Sequence, residues 1–322
     1  MLNKVLLFFI VINLCGVANL RSQDLKQNIG AHDPVMIKSN GRYYLYCTGR
    51  GITVWSSTDR ISWKSEPSVF SSAPAWAMEA VPGFRGHIWA PDISFYKGRY
   101  YLFYSVSMFG KNTSAIGVAT SLSLNPSDAT YQWIDHGLII KSEAGKTNWN
   151  AIDPNIIQDQ DGIAWLSFGS FWSGLKMIRL TPDRLQIDGS VSDLRSIASR
   201  GNATNAIEAP FIFKKNNYFY LFASIDFCCR GKESTYKIIV GRSRNVTGPF
   251  VDDKNILLNR GGGRLILEGN SEWYGVGHNA VANFDGKDYL IFHGYSAADK
   301  GIPKLLVRTL KWSQGWPVSS EL

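Results

Sequence analysis

Five times along the chain, a short turn with an acidic residue or a histidine leads, through a polar connector, to an aromatic strand. His32-Asp33-Pro34 precedes Arg42-Tyr43-Tyr44-Leu45-Tyr46, and Ala90-Pro91-Asp92 precedes Arg99-Tyr100-Tyr101-Leu102-Phe103-Tyr104. Ile152-Asp153-Pro154 precedes Ile163 to Phe168, Glu208-Ala209-Pro210 precedes Tyr218 to Phe222, and Gly277-His278-Asn279 precedes Asp288 to Phe292. The anchors at 33, 92, 153, 208 and 278 lie 59, 61, 55 and 70 residues apart. Connectors such as Asn40-Gly41, Lys97-Gly98, Asp161-Gly162, Asn216-Asn217 and Asp285-Gly286 fit tight hairpins, whose central residues need positive φ. A further strand follows in each unit, at Ile52 to Ser56, Ala115 to Thr120, Leu175 to Leu180, Lys237 to Arg242 and Leu305 to Leu310. Each unit is thus a small antiparallel sheet, and no unit has a helical stripe longer than a couple of turns. Five such units predict an all-β, five-bladed β-propeller, an array that protects its own strand edges. A β-sandwich with similar hairpins is the competing reading.

The chain has 322 residues. Lys4 followed by the apolar run Val5 to Ile12 reads as a secretory signal over 1–22, too short to span a membrane. That leaves 23–322 as a single propeller domain, secreted or periplasmic, with no membrane span and expected to be a monomer. Hydrophobic residues make up 45% and aromatics 13%, which excludes a mainly disordered chain. Lys and Arg number 34 against 26 Asp and Glu, but they are scattered singly, so the excess of +8 does not mark a nucleic-acid binder. Beyond the leader stand Cys47, Cys228 and Cys229, neither a disulfide framework nor a zinc pattern; the adjacent pair is read as two buried thiols, with a strained vicinal disulfide as the alternative. Gly261-Gly262-Gly263 lacks the lysine and the strand-to-helix setting of a phosphate loop.

In a propeller the innermost strands start near the axis, so equivalent turns converge on one end of the channel. Asp33, Asp92, Asp153, Glu208 and His278 fall at or near such places. Acetal hydrolysis needs one carboxylate ionised to activate water and one neutral to protonate the leaving oxygen. A third carboxylate can raise the pKa of the acid by like-charge repulsion.

Ala31-His32-Asp33-Pro34, His87-Ile88-Trp89-Ala90-Pro91-Asp92, Trp149 to Asn155 and Ile207-Glu208-Ala209-Pro210 resemble glycoside hydrolase family 43. Ser105 to Gly110, Phe168 to Gly174 and Asp226 to Gly231 resemble its endo-1,5-α-L-arabinanase branch, and the resemblance runs from about residue 30 to residue 318. It implies an inverting enzyme cleaving internal α-1,5-L-arabinofuranosidic bonds, with Asp33 as general base, Glu208 as general acid and Asp153 as modulator of the acid. It also implies a calcium or sodium ion at His278, completed mainly by water, while Asp92 is expected to be structural. Furanose chains call for apolar platforms and hydrogen-bond donors. Trp89, Phe109 and Trp172 are candidates for stacking, and Asn150, Ala151, Ile152, Ser170 and Phe171 lie in stretches resembling sugar-contacting ones. The alternatives are an exo-acting arabinofuranosidase or β-xylosidase of the same family, and a non-catalytic carbohydrate-binding propeller.

Overall fold

The computed structural model describes residues 25–320 and 322; the expected signal over 1–22 lies outside the described residues. Five antiparallel sheets follow one another along the chain. Blade one comprises Val35–Ser39, Arg42–Cys47, Thr53–Ser57 and Lys64–Glu66. Blade two comprises His87–Tyr96, Arg99–Val106, Ser114–Ser121 and Ile134–Ser142, with the short Gly49–Arg50 added at its inner edge. Blade three comprises Asn155–Gln158, Ala164–Phe168, Leu175–Arg179 and Arg195–Ala198. Blade four comprises Ile207–Lys215, Tyr218–Ile225, Lys237–Ser243 and Arg264–Glu268. Blade five comprises Trp273–Phe284, Lys287–Ser296, Ile302–Ser313 and Trp316–Ser319. This is the five-bladed propeller that the repeats predict, and the expected third strands fall within a residue or three of their places.

The hairpins form where the local chemistry asks for them. Asn40 and Gly41, Lys97 and Gly98, and Asp285 and Gly286 all have positive φ, the conformation that a two-residue turn between right-twisted strands requires. The aromatic second strands bury nearly every side chain, because their two faces pack against neighbouring blades. Apolar clusters accordingly bridge blades: Phe103 and Val118 of blade two pack with Leu166 and Phe168 of blade three. The amino-terminal segment closes the ring, bridging Lys26 to Trp63 beside blade one and Gly30 to Lys304 of blade five.

Around the axis, the start of each blade carries one residue in the left-handed region: Asp33, Ala90, Asp153, Ala209 and His278. In blades two, four and five the strand register slips across this residue, so it is the extra residue of a β-bulge. Its free N–H is satisfied by the preceding blade. Ala90 donates to Thr48 Oγ1 at 2.8 Å, Asp153 to Ser105 Oγ at 2.9 Å, His278 to Ser224 Oγ at 2.8 Å and Asp33 to His293 Nδ1 at 3.1 Å. Blade three has Gly169 where the others have an acceptor, and there Ala209 donates to the carboxylate of Asp153 at 3.1 Å. A ring of five inter-blade hydrogen bonds therefore holds the turns in place.

This ring corrects the alignment of the turns. Ala90, not Asp92, holds the bulge of blade two, and Glu208 stands one residue before the bulge of blade four. Asp92 lies two residues further in, at the place of Asn155. Both accept a backbone N–H from the next blade: Ile156 donates to Asp92 Oδ2 at 2.8 Å and Ile212 to Asn155 Oδ1 at 2.8 Å. Asp92 thus has the structural role expected of it.

Candidate active site

The turns at the blade starts bring four side chains into one cavity of about 800 Å³ at the end of the channel: Asp33, Asp153, Glu208 and His278. Each carboxylate is under a tenth exposed, at 7%, 6% and 8% for Asp33, Asp153 and Glu208. Buried charges of one sign need partners, and the three are partnered differently.

Asp33 is surrounded by donors. Thr48 Oγ1 donates to Oδ2 at 2.5 Å, His32 Nδ1 lies 2.9 Å from the same oxygen, and His278 Nδ1 lies 3.0 Å from Oδ1. Burial pushes this carboxyl up, but the charge of His278 and the hydrogen bonds from His278 and His32 outweigh burial and hold it well below the usual range. His278 responds in kind. Burial opposes its charge, yet Asp33 and then Asp153 draw it up to about 9.

Asp153 behaves in the opposite way. Burial first, and the charges of Glu208 and Asp33 with it, push its carboxyl up to about 8 against the pull of His278 and the Ala209 amide. Glu208 receives Tyr236 OH on Oε1 at 2.7 Å and Ser170 Oγ on Oε2 at 2.8 Å. Tyr236 reaches it only because position 277 is glycine: a Cβ there would lie 2.0 Å from the Tyr236 ring. Asp153 and Glu208 are further linked through the backbone, because the amide of Ala209, the residue after Glu208, donates to the Asp153 carboxylate.

Of the residues expected to bind sugar, Trp89, Phe109, Asn150, Ile152, Ser170, Phe171 and Trp172 line the cavity. Ala151 does not: it is fully buried, with its amide on Ser142 Oγ, because the turn directs its neighbours Asn150 and Ile152 inward instead. Ser170 meets the cavity as a donor to Glu208. Asn150 is 3% exposed and its Oδ1 has no protein partner, so a polar group entering the cavity would satisfy it. Phe109 is 77% exposed and Trp172 40%, apolar surface open at the rim.

Several contributors were missed from sequence. His87 lines the cavity and accepts the Trp89 indole N–H at 3.0 Å. Tyr236 lies in a loop of blade four, and His293 and Tyr295 in the second strand of blade five, where nothing local sets them apart from core aromatics. Cys228 and Cys229 are not buried thiols. They form a vicinal disulfide with sulfurs 2.31 Å apart, partly exposed in the cavity wall. Adjacent cysteines in a turn at the channel mouth were the available signal.

His278 has Nε2 remaining once Nδ1 faces Asp33, which suits a cation only if water supplies the oxygens that a hard ion prefers. The one group of three His, Cys, Asp or Glu ligand atoms close enough for a metal, among the described residues, is His32, Asp33 and His293. Hydrogen bonds occupy its nitrogens.

A five-bladed propeller that gathers three unequal carboxylates and two rim aromatics, Phe109 and Trp172, at one channel mouth has the parts of a sugar-cleaving enzyme. The chain is a member of the glycosyl hydrolases family 43, whose profile matches residues 28–317. It is 47% identical over 305 residues to an extracellular exo-α-(1→5)-L-arabinofuranosidase of Cellvibrio japonicus, covering 92% of this chain and 88% of that one. It is 44% identical over 290 residues to an extracellular endo-α-(1→5)-L-arabinanase of Bacillus subtilis, covering 89% and 86%. The solved structure of a Cellvibrio cellulosa α-L-arabinanase with arabinohexaose is similar at a TM-score of 0.88 and 46% identity, covering 92% and 96%.

Proposed function

We propose that the protein cleaves the α-1,5-L-arabinofuranosidic bonds of arabinan at internal positions with inversion, Asp33 acting as general base and Glu208 as general acid. The observation that carries this reading is the unequal treatment of the carboxylates within one cavity. Asp33 is held ionised by three donors, whereas burial, with the charges of Glu208 and Asp33, favours the protonated form of Asp153 beside Glu208. In the reaction, Asp33 takes a proton from water, the water oxygen bonds to the anomeric carbon, and the bond from that carbon to the leaving oxygen breaks. Glu208 delivers its proton to that oxygen, so charge balances without an ionic leaving group. Asp153 sets the proton distribution and, through the Ala209 amide, the backbone that carries Glu208.

Trp89, Phe109, Phe171 and Trp172 supply apolar platforms, and Asn150 offers its unpartnered amide oxygen to a hydroxyl. A calcium or sodium ion is part of the reading: His278 would hold it through Nε2, water would supply its other ligands, and it would add positive charge to the site. The names of both curated relatives include the word extracellular, in keeping with export.

The similarity to the Cellvibrio relative supports a second reading, exo action on the same polymer. A time course on linear arabinan separates the two. Mixed oligosaccharides at early times with an inverted reducing end by proton NMR are expected; a single small product from the first minutes would replace endo with exo action, and a retained anomer would remove the water-mediated step.

A further inference from the structure

The hydrogen bonds around Asp33 contain a closed circuit whose proton positions can be deduced from one fixed point. A backbone N–H can only donate, and that of Asp33 points at His293 Nδ1 at 3.1 Å. His293 Nδ1 therefore carries no proton. The ring is fully buried, and burial pushes its pKa well below the usual value; with Nδ1 accepting, its proton is on Nε2. His293 Nε2 lies 3.3 Å from the hydroxyl of Tyr295 and must donate to it.

The same hydroxyl oxygen receives the Cys229 backbone N–H at 2.7 Å. Its two acceptor positions are then filled, and its own proton needs a destination. His32 Nε2 stands 3.0 Å away, while the Cys229 sulfur, a weak acceptor, stands at 3.9 Å. The proton goes to His32 Nε2. With Nε2 accepting, the His32 proton is on Nδ1, which faces Asp33 Oδ2 at 2.9 Å. The stacking of His32 on His293, with centroids 4.2 Å apart, keeps both rings in this arrangement.

We propose that Tyr295 is a positioning residue that locks His32 in the Nδ1–H tautomer, so that His32 is a permanent hydrogen-bond donor to Asp33. The circuit runs Asp33 N–H to His293, His293 to Tyr295, Tyr295 to His32, and His32 back to the Asp33 carboxylate. Cys229, next to its disulfide partner in the cavity wall, aims the hydroxyl by donating its N–H. The other tautomer would set the His32 Nδ1 lone pair against the carboxylate and remove one of its three side-chain donors. The catalytic consequence rests on Asp33 being the base; the tautomer itself does not.

Two measurements test this. In protein labelled with nitrogen-15 at histidine, correlation spectra should give His293 as the Nε2–H form and His32 as the Nδ1–H form, with His32 becoming a tautomer mixture in Tyr295→Phe. An Nε2–H His32 in the unaltered protein overturns the proposal, whatever the substrate proves to be and whether or not Tyr295→Phe folds. Kinetically, loss of a hydrogen bond to a charged group corresponds to about a ten- to hundredfold fall in kcat, with KM little changed. His32→Asn keeps an N–H near the Nδ1 position and has no tautomer to choose. On that background Tyr295→Phe should leave kcat within about twofold of the single variant, the measure of absent coupling. Equal losses in both backgrounds would reduce Tyr295 to a packing role and refute the lock.

Discussion

Asp92 offers a test of the ring that positions the site. Its carboxyl is fully buried, and although Ile156 and Asn155 hydrogen-bond to it, burial dominates and pushes it up to about 7 from the ordinary 3.8. Below the ordinary value the folded and unfolded chains both carry the proton, and the group has no effect on stability. As pH rises through 4 the unfolded chain releases the proton while the folded one keeps it, so stability falls with pH until the folded carboxyl ionises near 7. The displacement corresponds to roughly 4 kcal/mol lost between pH 4 and pH 8. Asp92→Asn keeps an oxygen for the Ile156 amide, which is 2.8 Å from Oδ2, and removes the ionisation. Urea unfolding of both proteins at steps from pH 4.5 to 8 should give a stability difference that moves in favour of the variant by about that amount. Taking the difference cancels the other buried carboxyls, Asp153 among them. A difference independent of pH would show that Asp92 is ionised in the fold throughout, and the burial argument would fail.

Glu208→Gln and Asp33→Asn should each lower kcat on arabinan by about 10³ or more, the scale of a lost acid or base, with thermal unfolding unchanged within a few degrees; near-full activity in either would end that assignment. Chelation should lower the unfolding temperature by a few degrees, as loss of a ligand bound only to the folded state does, and calcium or sodium should restore it. In His278→Ala neither treatment should matter, and a chelator response that persists in that variant would move the ion elsewhere.

The fold was legible because its signals are local. Asn40-Gly41 and Asp285-Gly286 select tight turns by backbone sterics alone, and Tyr43 to Tyr46 or Tyr218 to Phe222 prefer strands buried on both faces. Repetition at similar spacing then left a propeller as the array able to bury five such sheets. The convergence of Asp33, Asp153, Glu208 and His278 followed from that repetition. Blade two shows its limit: a bulge moves the facing residue by one or two positions, so Ala90 holds the turn while Asp92 lies inside, and sequence spacing cannot resolve such a slip. Ala151 failed for a similar reason, pointing away while Asn150 and Ile152 point in.

What the sequence by itself determined is the blade, its repetition, and the residues able to do acid–base chemistry at the channel mouth. Only the tertiary structure decided how each of those residues is protonated. That depends on contacts distant in sequence: His293 with Asp33 across 260 residues and Tyr295 with His32 between blades, and Tyr236 with Glu208 within blade four beside Gly277 of blade five. Hydrogen bonds and charge act over a few ångströms in space, and the closing of the ring, rather than order along the chain, sets which groups come that near.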